Sequence, residues 1–159
     1  MFNVFKSDDK INLFAPMDGR IVKLEELSDP AFSQKMLGDG IAIDPSNDVV
    51  VSPCEGEIVK MFDTNHAVGI ETEEGVEILI HIGIDTVKLA GEGFTRIAED
   101  GDKVNVGDEL IRIDREFLKE NAPSLVTPIV ITNSFEVNQV IDSNKKVASG
   151  KDKILQISL

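Results

Sequence analysis

The apolar residues of this chain fall into short runs: "GRIVKL", "GIAIDP", "DVVVSP", "GEIVKM", "AVGIET", "GVEILIHIGI", "ELIRID", "PIVIT" and "KILQIS". Gly, Pro, Asp and Asn separate them. Runs of this length and punctuation predict strands, and many short strands with frequent turns predict an all-β fold, a sandwich or a barrel. The longest run, "VEILIHIGIDTV" from Val76 to Val87, alternates. Val76, Ile78, Ile80, Ile82 and Ile84 share one parity; Glu77, Leu79, His81 and Gly83 share the other. The isoleucines should face the core and His81 should point away from it. Gly83, without a side chain, is expected to leave backbone uncovered for a partner's approach.

Helical signals are few. In "SDPAFSQKMLG", Asp29 is a candidate N-cap, Pro30 takes the first helical position and Gly38 is the expected stop. "DREFLKENAP" predicts two turns from Asp114. "NSFEVNQV" suits either a capping box, with Asn133 and Glu136, or a strand through its valines. Residues 1–12 are expected to be a short N-terminal tail, in which Phe2 and Phe5 make at most a weak amphipathic anchor. Residues 13–159 are expected to form one domain.

The chain repeats itself. "FAPMDGRIVKL" from Phe14 aligns with "VSPCEGEIVKM" from Val51 at an offset of 37 residues, with five of eleven positions identical. "VNVGDELIRI" from Val104 echoes "VASGKDKILQI" from Val147. With only two copies of each unit, a pseudo-symmetric β structure is implied rather than a solenoid. Cys54 aligns with Met17 in the first repeat, which points to packing.

Composition narrows the function. The 159 residues carry a net charge of −13. That disfavours nucleic acid and anionic membrane and favours basic protein partners. A single cysteine excludes an intramolecular disulfide and fits a reducing compartment. The opening "MFNVFKSDDK" does not read as a secretory signal, and no apolar run reaches spanning length, so a cytoplasmic location is expected.

The chain has two histidines, His66 and His81. If "FDTNHAVGI" is extended, Phe62, Thr64 and His66 project on one side, and Thr64 is placed to orient the imidazole by a hydrogen bond to one nitrogen. The hairpin through "ETEEG" decides whether the rings meet. A two-residue loop (Glu74, Gly75) makes them diagonal neighbours, and a four-residue loop (Thr72 to Gly75) sets them directly opposite. A three-residue loop splits them but brings Val68 and Ile70 to the isoleucine face. Periodicity leaves these alternatives open.

A lone histidine in an apolar strand is ordinarily structural; two converging on one exposed face point to chemistry. A zinc hydrolase needs three protein ligands, and no HxH or HExxH spacing supplies them, although Asp85 could complete a set. A serine nucleophile would need an elbow motif that is missing. A neutral imidazole, with a pKa of about 6.5, is itself a nucleophile at neutral pH and accepts a phosphoryl group on nitrogen. A second imidazole beside it can donate a hydrogen bond to the phosphoryl oxygens.

"TNHAVGIETEEGVEILIHIGIDTVKLAGEGF", together with "FAPMDGRIVKLEELSDPAFSQKMLGDGIAIDP" and "GDKVNVGDELIRID", resembles the glucose-type enzyme IIA family of the bacterial sugar phosphotransferase system. The resemblance implies an antiparallel β-sandwich of the barrel-sandwich hybrid type with a few short helical turns. It implies a phosphotransferase relay: His81 accepts phosphate on Nε2 from the phosphocarrier protein HPr and passes it to the IIB domain of a sugar permease. His66 then supports the phosphoryl group and Thr64 orients His66. Asp29 and Asp85 match acidic residues that meet partner arginines; Phe32, Phe62 and Leu79 match an apolar collar. The resemblance extends the partners to regulated transporters or metabolic enzymes. It requires no cofactor, but His66 and His81 match a pair that in some members shares a zinc ion with a partner's carboxylate. A biotinyl- or lipoyl-type carrier is the competing reading, through the turn pattern of "GDKVNVGDELIRI"; neither "SNKKVASG" nor "FDTN" offers a convincing match to its modified lysine.

Overall fold

The computed structural model describes residues 9–159. The chain forms β1 (Lys10–Phe14), β2 (Gly19–Val22), a short helix α1 (Pro30–Ser33), β3 (Asp39–Pro45), β4 (Val49–Val51) and β5 (Gly56–Met61). There follow β6 (Ala67–Glu71), β7 (Glu77–His81), β8 (Phe94–Arg96), β9 (Lys103–Val104) and β10 (Glu109–Ile113). The last elements are α2 (Arg115–Asn121), β11 (Thr127–Ile131), β12 (Glu136–Gln139), β13 (Lys146–Val147) and β14 (Lys153–Ser158). Among the described residues, single 3₁₀ turns at Leu24–Glu26 and Thr86–Leu89 are the other helical pieces. Each apolar run named above carries a strand. Phe2 and Phe5 lie outside the described residues, and β1 begins inside the expected tail, at Lys10, because Ile11 and Leu13 pair with Ile157 and Leu155 of β14.

Every ladder is antiparallel. One sheet runs β13-β2-β3-β11-β7-β6-β5-β9, and two three-stranded sheets, β1-β14-β12 and β4-β10-β8, close over it. The fold is therefore an antiparallel β-sandwich, and its order is palindromic. Val147 of β13 pairs with Gly19 of β2, as Val104 of β9 pairs with Gly56 of β5. The two repeats bind each other reciprocally: the Phe14 N–H donates to the Pro53 carbonyl at 2.9 Å and the Val51 N–H to the Pro16 carbonyl at 2.7 Å. The turn glycines of the second echo meet, since a Cβ on Gly150 would lie 3.5 Å from Cα of Gly107. Met17 and Cys54 are both buried where the repeats join. Burial first, then the charges of Glu74 and Glu55, pushes the Cys54 thiol up to about 12, so it stays an inert packing group.

One core fills the sandwich. It draws on Leu13, Leu155 and Ile157 from one small sheet, Val50 and Ile111 from the other, and Ile78, Ile80, Val68 and Ile70 from the large one. A second, smaller cluster lies on a separate patch: Leu24, Leu27 and Phe32 pack on Ala42, Val130 and Ile84, with Leu79 beside them. Leu24, Leu27 and Phe32 of the segment between β2 and β3 are buried in that patch, at 1%, 8% and 3% exposed.

The Asp29 carboxylate caps α1 by accepting the Ala31 N–H at 2.9 Å, with Pro30 in the first turn. The helix stops before the expected Gly38, because Gln34 leaves helical geometry and Lys35 takes φ 57°. Asp114 likewise caps α2 through the Phe117 N–H. "NSFEVNQV" resolves as strand β12, paired with β14.

The β6–β7 hairpin takes the three-residue loop, with the Thr72 N–H donating to the Val76 carbonyl at 3.0 Å and Ala67 facing His81. Neither even-numbered loop forms. The reason is burial: this register puts Val68 and Ile70 on the core side with Ile78 and Ile80, all four at most 1% exposed.

Candidate functional site

A regular hairpin in this register would split the histidines, yet their ring centroids are 5.1 Å apart in an edge-on arrangement. The expectation of an extended Phe62–His66 stretch is what fails. β5 ends at Met61 and β6 begins at Ala67, and the residues between form a turn in which Asn65 takes φ 58°. The Asn65 N–H donates to the Phe62 carbonyl at 2.8 Å, closing the turn, while the His66 carbonyl accepts from the Ile82 N–H at 2.7 Å. The His66 ring thus reaches His81 from a turn, not along a strand. The residue directly across from His81 is Ala67, which carries only a methyl.

His81 ends β7 with its side chain away from the main core, as its parity predicts. Its Nδ1 lies 2.8 Å from the Gly83 carbonyl oxygen. A carbonyl only accepts, so Nδ1 carries the proton, and the neutral ring keeps its lone pair on Nε2. Gly83 corrects the expectation of an open backbone. It is buried at φ 74°, and a Cβ there would lie 2.7 Å from Cγ2 of Thr86 and 2.9 Å from the Ser124 carbonyl oxygen. Its missing side chain makes room for this chain's own backbone, and its carbonyl serves His81. Thr86, fully buried, donates to the Ile82 carbonyl at 2.5 Å and braces the same bend.

His66 is 5% exposed. Its Nδ1 lies 2.6 Å from Thr64 Oγ1, so the expected Thr64–His66 pair is present. Burial, and then the charge His81 would carry, pushes its pKa down to about 4. Burial also pushes the His81 pKa down, opposed by the Gly83 carbonyl and by the carboxylates of Asp29 and Asp85. Desolvation wins at both rings, so both are neutral at pH 7.

Two of the three expected collar residues touch the imidazoles. Phe32 packs on His81 with centroids 5.2 Å apart, and Phe62 meets His66 edge-on at 5.7 Å. Phe32 is mostly core, whereas Phe62 and Leu79 are part-exposed. Asp29 both caps α1 and charges the rim; Asp85 is exposed, in left-handed conformation ahead of the Thr86–Leu89 turn. Leu79 pairs with Gly69, where a Cβ would find only Val59 Cγ2 within 3.5 Å. A glycine inside a strand is a sequence signal of close approach, and Gly69 carries it beside exposed Val59. Asn65 also had a signal, since asparagine tolerates left-handed backbone and "DTN" reads as a turn. Among the described residues no group of three or more His, Cys, Asp or Glu side chains is placed to hold a metal ion, so Asp85 does not complete a set with the histidines. Nor is any described helix long and apolar enough to cross a membrane.

Known proteins resemble this chain in sequence and in fold. The family model for the phosphoenolpyruvate-dependent sugar phosphotransferase system, EIIA 1, matches residues 11–137. The chain is 43% identical to the glucose-specific EIIA component of Staphylococcus epidermidis, over 100% of this chain and 97% of that protein. It is 46% identical to the corresponding component of Buchnera aphidicola, over 98% and 97% of the two chains. The solved glucose permease IIA of Mycoplasma capricolum superposes with a TM-score of 0.88 at 37% identity, covering 98% of this chain and 99% of that one. With the family model spanning both histidines and their turn, this chain belongs to the EIIA 1 family of the phosphoenolpyruvate-dependent sugar phosphotransferase system.

Proposed function

We propose that this chain is a phosphocarrier that takes a phosphoryl group from phospho-HPr onto Nε2 of His81 and delivers it to the IIB domain of a sugar permease. The observation that carries the reading is the 2.8 Å hydrogen bond from His81 Nδ1–H to the Gly83 carbonyl. It fixes the tautomer that leaves Nε2 nucleophilic, and the lowered pKa keeps the ring unprotonated. In transfer, the Nε2 lone pair forms the new bond to phosphorus. The bond from phosphorus to the donor breaks, and its electron pair returns to the donor; no proton need move. The positive charge that develops on the ring is met by the Gly83 carbonyl at Nδ1. Delivery reverses these steps with IIB as acceptor.

His66 is neutral, so it has one N–H to offer. When the Thr64 hydroxyl donates to Nδ1 across 2.6 Å, that N–H lies on Nε2 and is free to donate to a phosphoryl oxygen. Asp29 and Asp85 put negative charge beside His81, which suits cationic partners, and Phe62 and Leu79 give an apolar rim for docking. Regulated transporters or metabolic enzymes are further candidates for this charged and apolar rim. A zinc ion bound here would take His66 and His81 as two ligands and a partner's carboxylate as a third; the relay itself needs none. The relatives' glucose specificity supports a glucose permease as the destination.

The test is to incubate the protein with phosphoenolpyruvate, enzyme I and HPr and to look for acid-labile, base-stable phosphate. Label is expected on wild type and absent from His81→Ala. No label on wild type, or label persisting in His81→Ala, would sink the proposal.

A further inference from the structure

We infer that Arg96 is a positioning residue for the supporting imidazole: its guanidinium holds the Phe62–His66 turn in the one shape that aims His66 at His81. The inference rests on the phosphocarrier reading. His66 and Thr64 belong to no strand; the bond from the Ile82 N–H to the His66 carbonyl carries the β6–β7 ladder one step further but does not set the turn that leads into it. Something else must hold the turn, since Asn65 pins it in left-handed backbone that a non-glycine residue adopts at a cost.

Arg96 supplies that hold from 31 residues away. Its Nε donates to Asn65 Oδ1 at 2.7 Å and one terminal nitrogen donates to the Phe62 carbonyl at 3.1 Å. The other terminal nitrogen pairs with Glu99 at 3.2 Å. The fork therefore spans the two ends of the turn, the Phe62 carbonyl and the Asn65 amide, with Thr64 between and His66 next. Its own backbone is anchored in β8, opposite Ile111 of the central strand β10. The side chain is 28% exposed, so the contacts are partly shielded from water. Asp100, four residues on, accepts the Met61 N–H at 2.5 Å and fixes the entrance to the same turn.

The pseudo-symmetry of the fold provides a control. Gln139 of β12 pairs with Leu155 of β14 as Arg96 pairs with Ile111. Leu155 and Ile111 are equivalent in the second repeat, and Glu25 is equivalent to Phe62 in the first. The Gln139 amide turns away to the Ile141 carbonyl at 2.6 Å. What remains at its side is an open cleft of about 290 Å³ lined by Leu24, Glu25 and Gln139. In the half without a histidine turn Gln139 makes no bridge to Glu25, which pairs with Lys35 instead; in the half with one, a guanidinium bridges the turn.

Arg96→Gln keeps a polar side chain but is too short to bridge both ends of the turn. The ring nitrogens of His66 are read by ¹⁵N NMR on the unphosphorylated full chain, and transfer rates to and from His81 are read separately. We expect the His66 tautomers to move toward an even mixture while those of His81 stay fixed. Onward transfer to IIB should slow about tenfold, with uptake from phospho-HPr within about twofold. Asn65→Gly is the second variant, since glycine keeps the left-handed turn and loses only one of the two contacts; it should shift the His66 signals part of the way. Unchanged His66 signals in both variants would overturn the inference. Equal disturbance of His66, His81 and remote amides would overturn it too, by making Arg96 merely structural. If wild type takes up no phosphate, the phosphocarrier reading fails, and the ring measurement still decides Arg96.

Discussion

The buried, neutral state of His66 makes a quantitative prediction about pH. In the unfolded chain its imidazole titrates near the ordinary value of 6.5, and in the folded chain at about 4. Between those values the unfolded state binds a proton that the folded state refuses. The contribution to stability is therefore fully present above pH 6.5 and is lost as pH falls through 6.5 toward 4. The interval is worth about 3 kcal/mol at one proton. Acid also acts on the 29 acidic residues, so the comparison must cancel them. His66→Gln does so, because it removes only this titration and retains a side chain of similar reach. Urea unfolding from pH 7.5 to 4 should show wild type losing about 3 kcal/mol more than His66→Gln. A direct NMR titration should find His66 neutral throughout the physiological range. Parallel stability curves, or a His66 midpoint near 6.5, would refute the reasoning.

Three further outcomes test the site. Thr64→Val removes the hydroxyl on His66 Nδ1, so it should cost about 1 kcal/mol in urea unfolding. It should also slow single-turnover transfer to IIB about tenfold, and unaltered transfer would count against the hydroxyl as the orienting group. Gly83→Ala places a Cβ 2.9 Å from the Ser124 carbonyl oxygen at φ 74°, and should lower stability by about 1–3 kcal/mol and disturb the Nδ1 proton of His81; an unchanged unfolding midpoint would contradict this. Gly69→Leu should leave stability within about 0.5 kcal/mol, since a Cβ there meets Val59 and Lys60 only at ordinary contact distances, yet impede transfer by obstructing docking. Full-rate transfer in that variant would place the docking surface elsewhere.

The sequence by itself determined most of the strands and the repeat, and it singled out the two histidines. Period-two alternation decides which side of β7 meets the core, and burial of Ile78 and Ile80 enforces it regardless of distant contacts. Asp29 and Asp114 announced their helices because a cap is satisfied within three residues. The same local logic misjudged Gly83, whose neighbours Thr86 and Ser124 arrive through a bend and a bridge that periodicity does not describe. It also left the histidine pairing open. The hairpin adopted the register that, in regular strands, separates the rings, and a turn after β5 brought them together again. Only the tertiary structure decided that, because the turn's shape depends on Arg96, held in a strand of another sheet, and on the packing of Phe32 against His81 from the segment before β3. A side chain's direction on a strand is set by its neighbours in sequence. The direction of a side chain on a turn is set by whatever the rest of the fold presses against it.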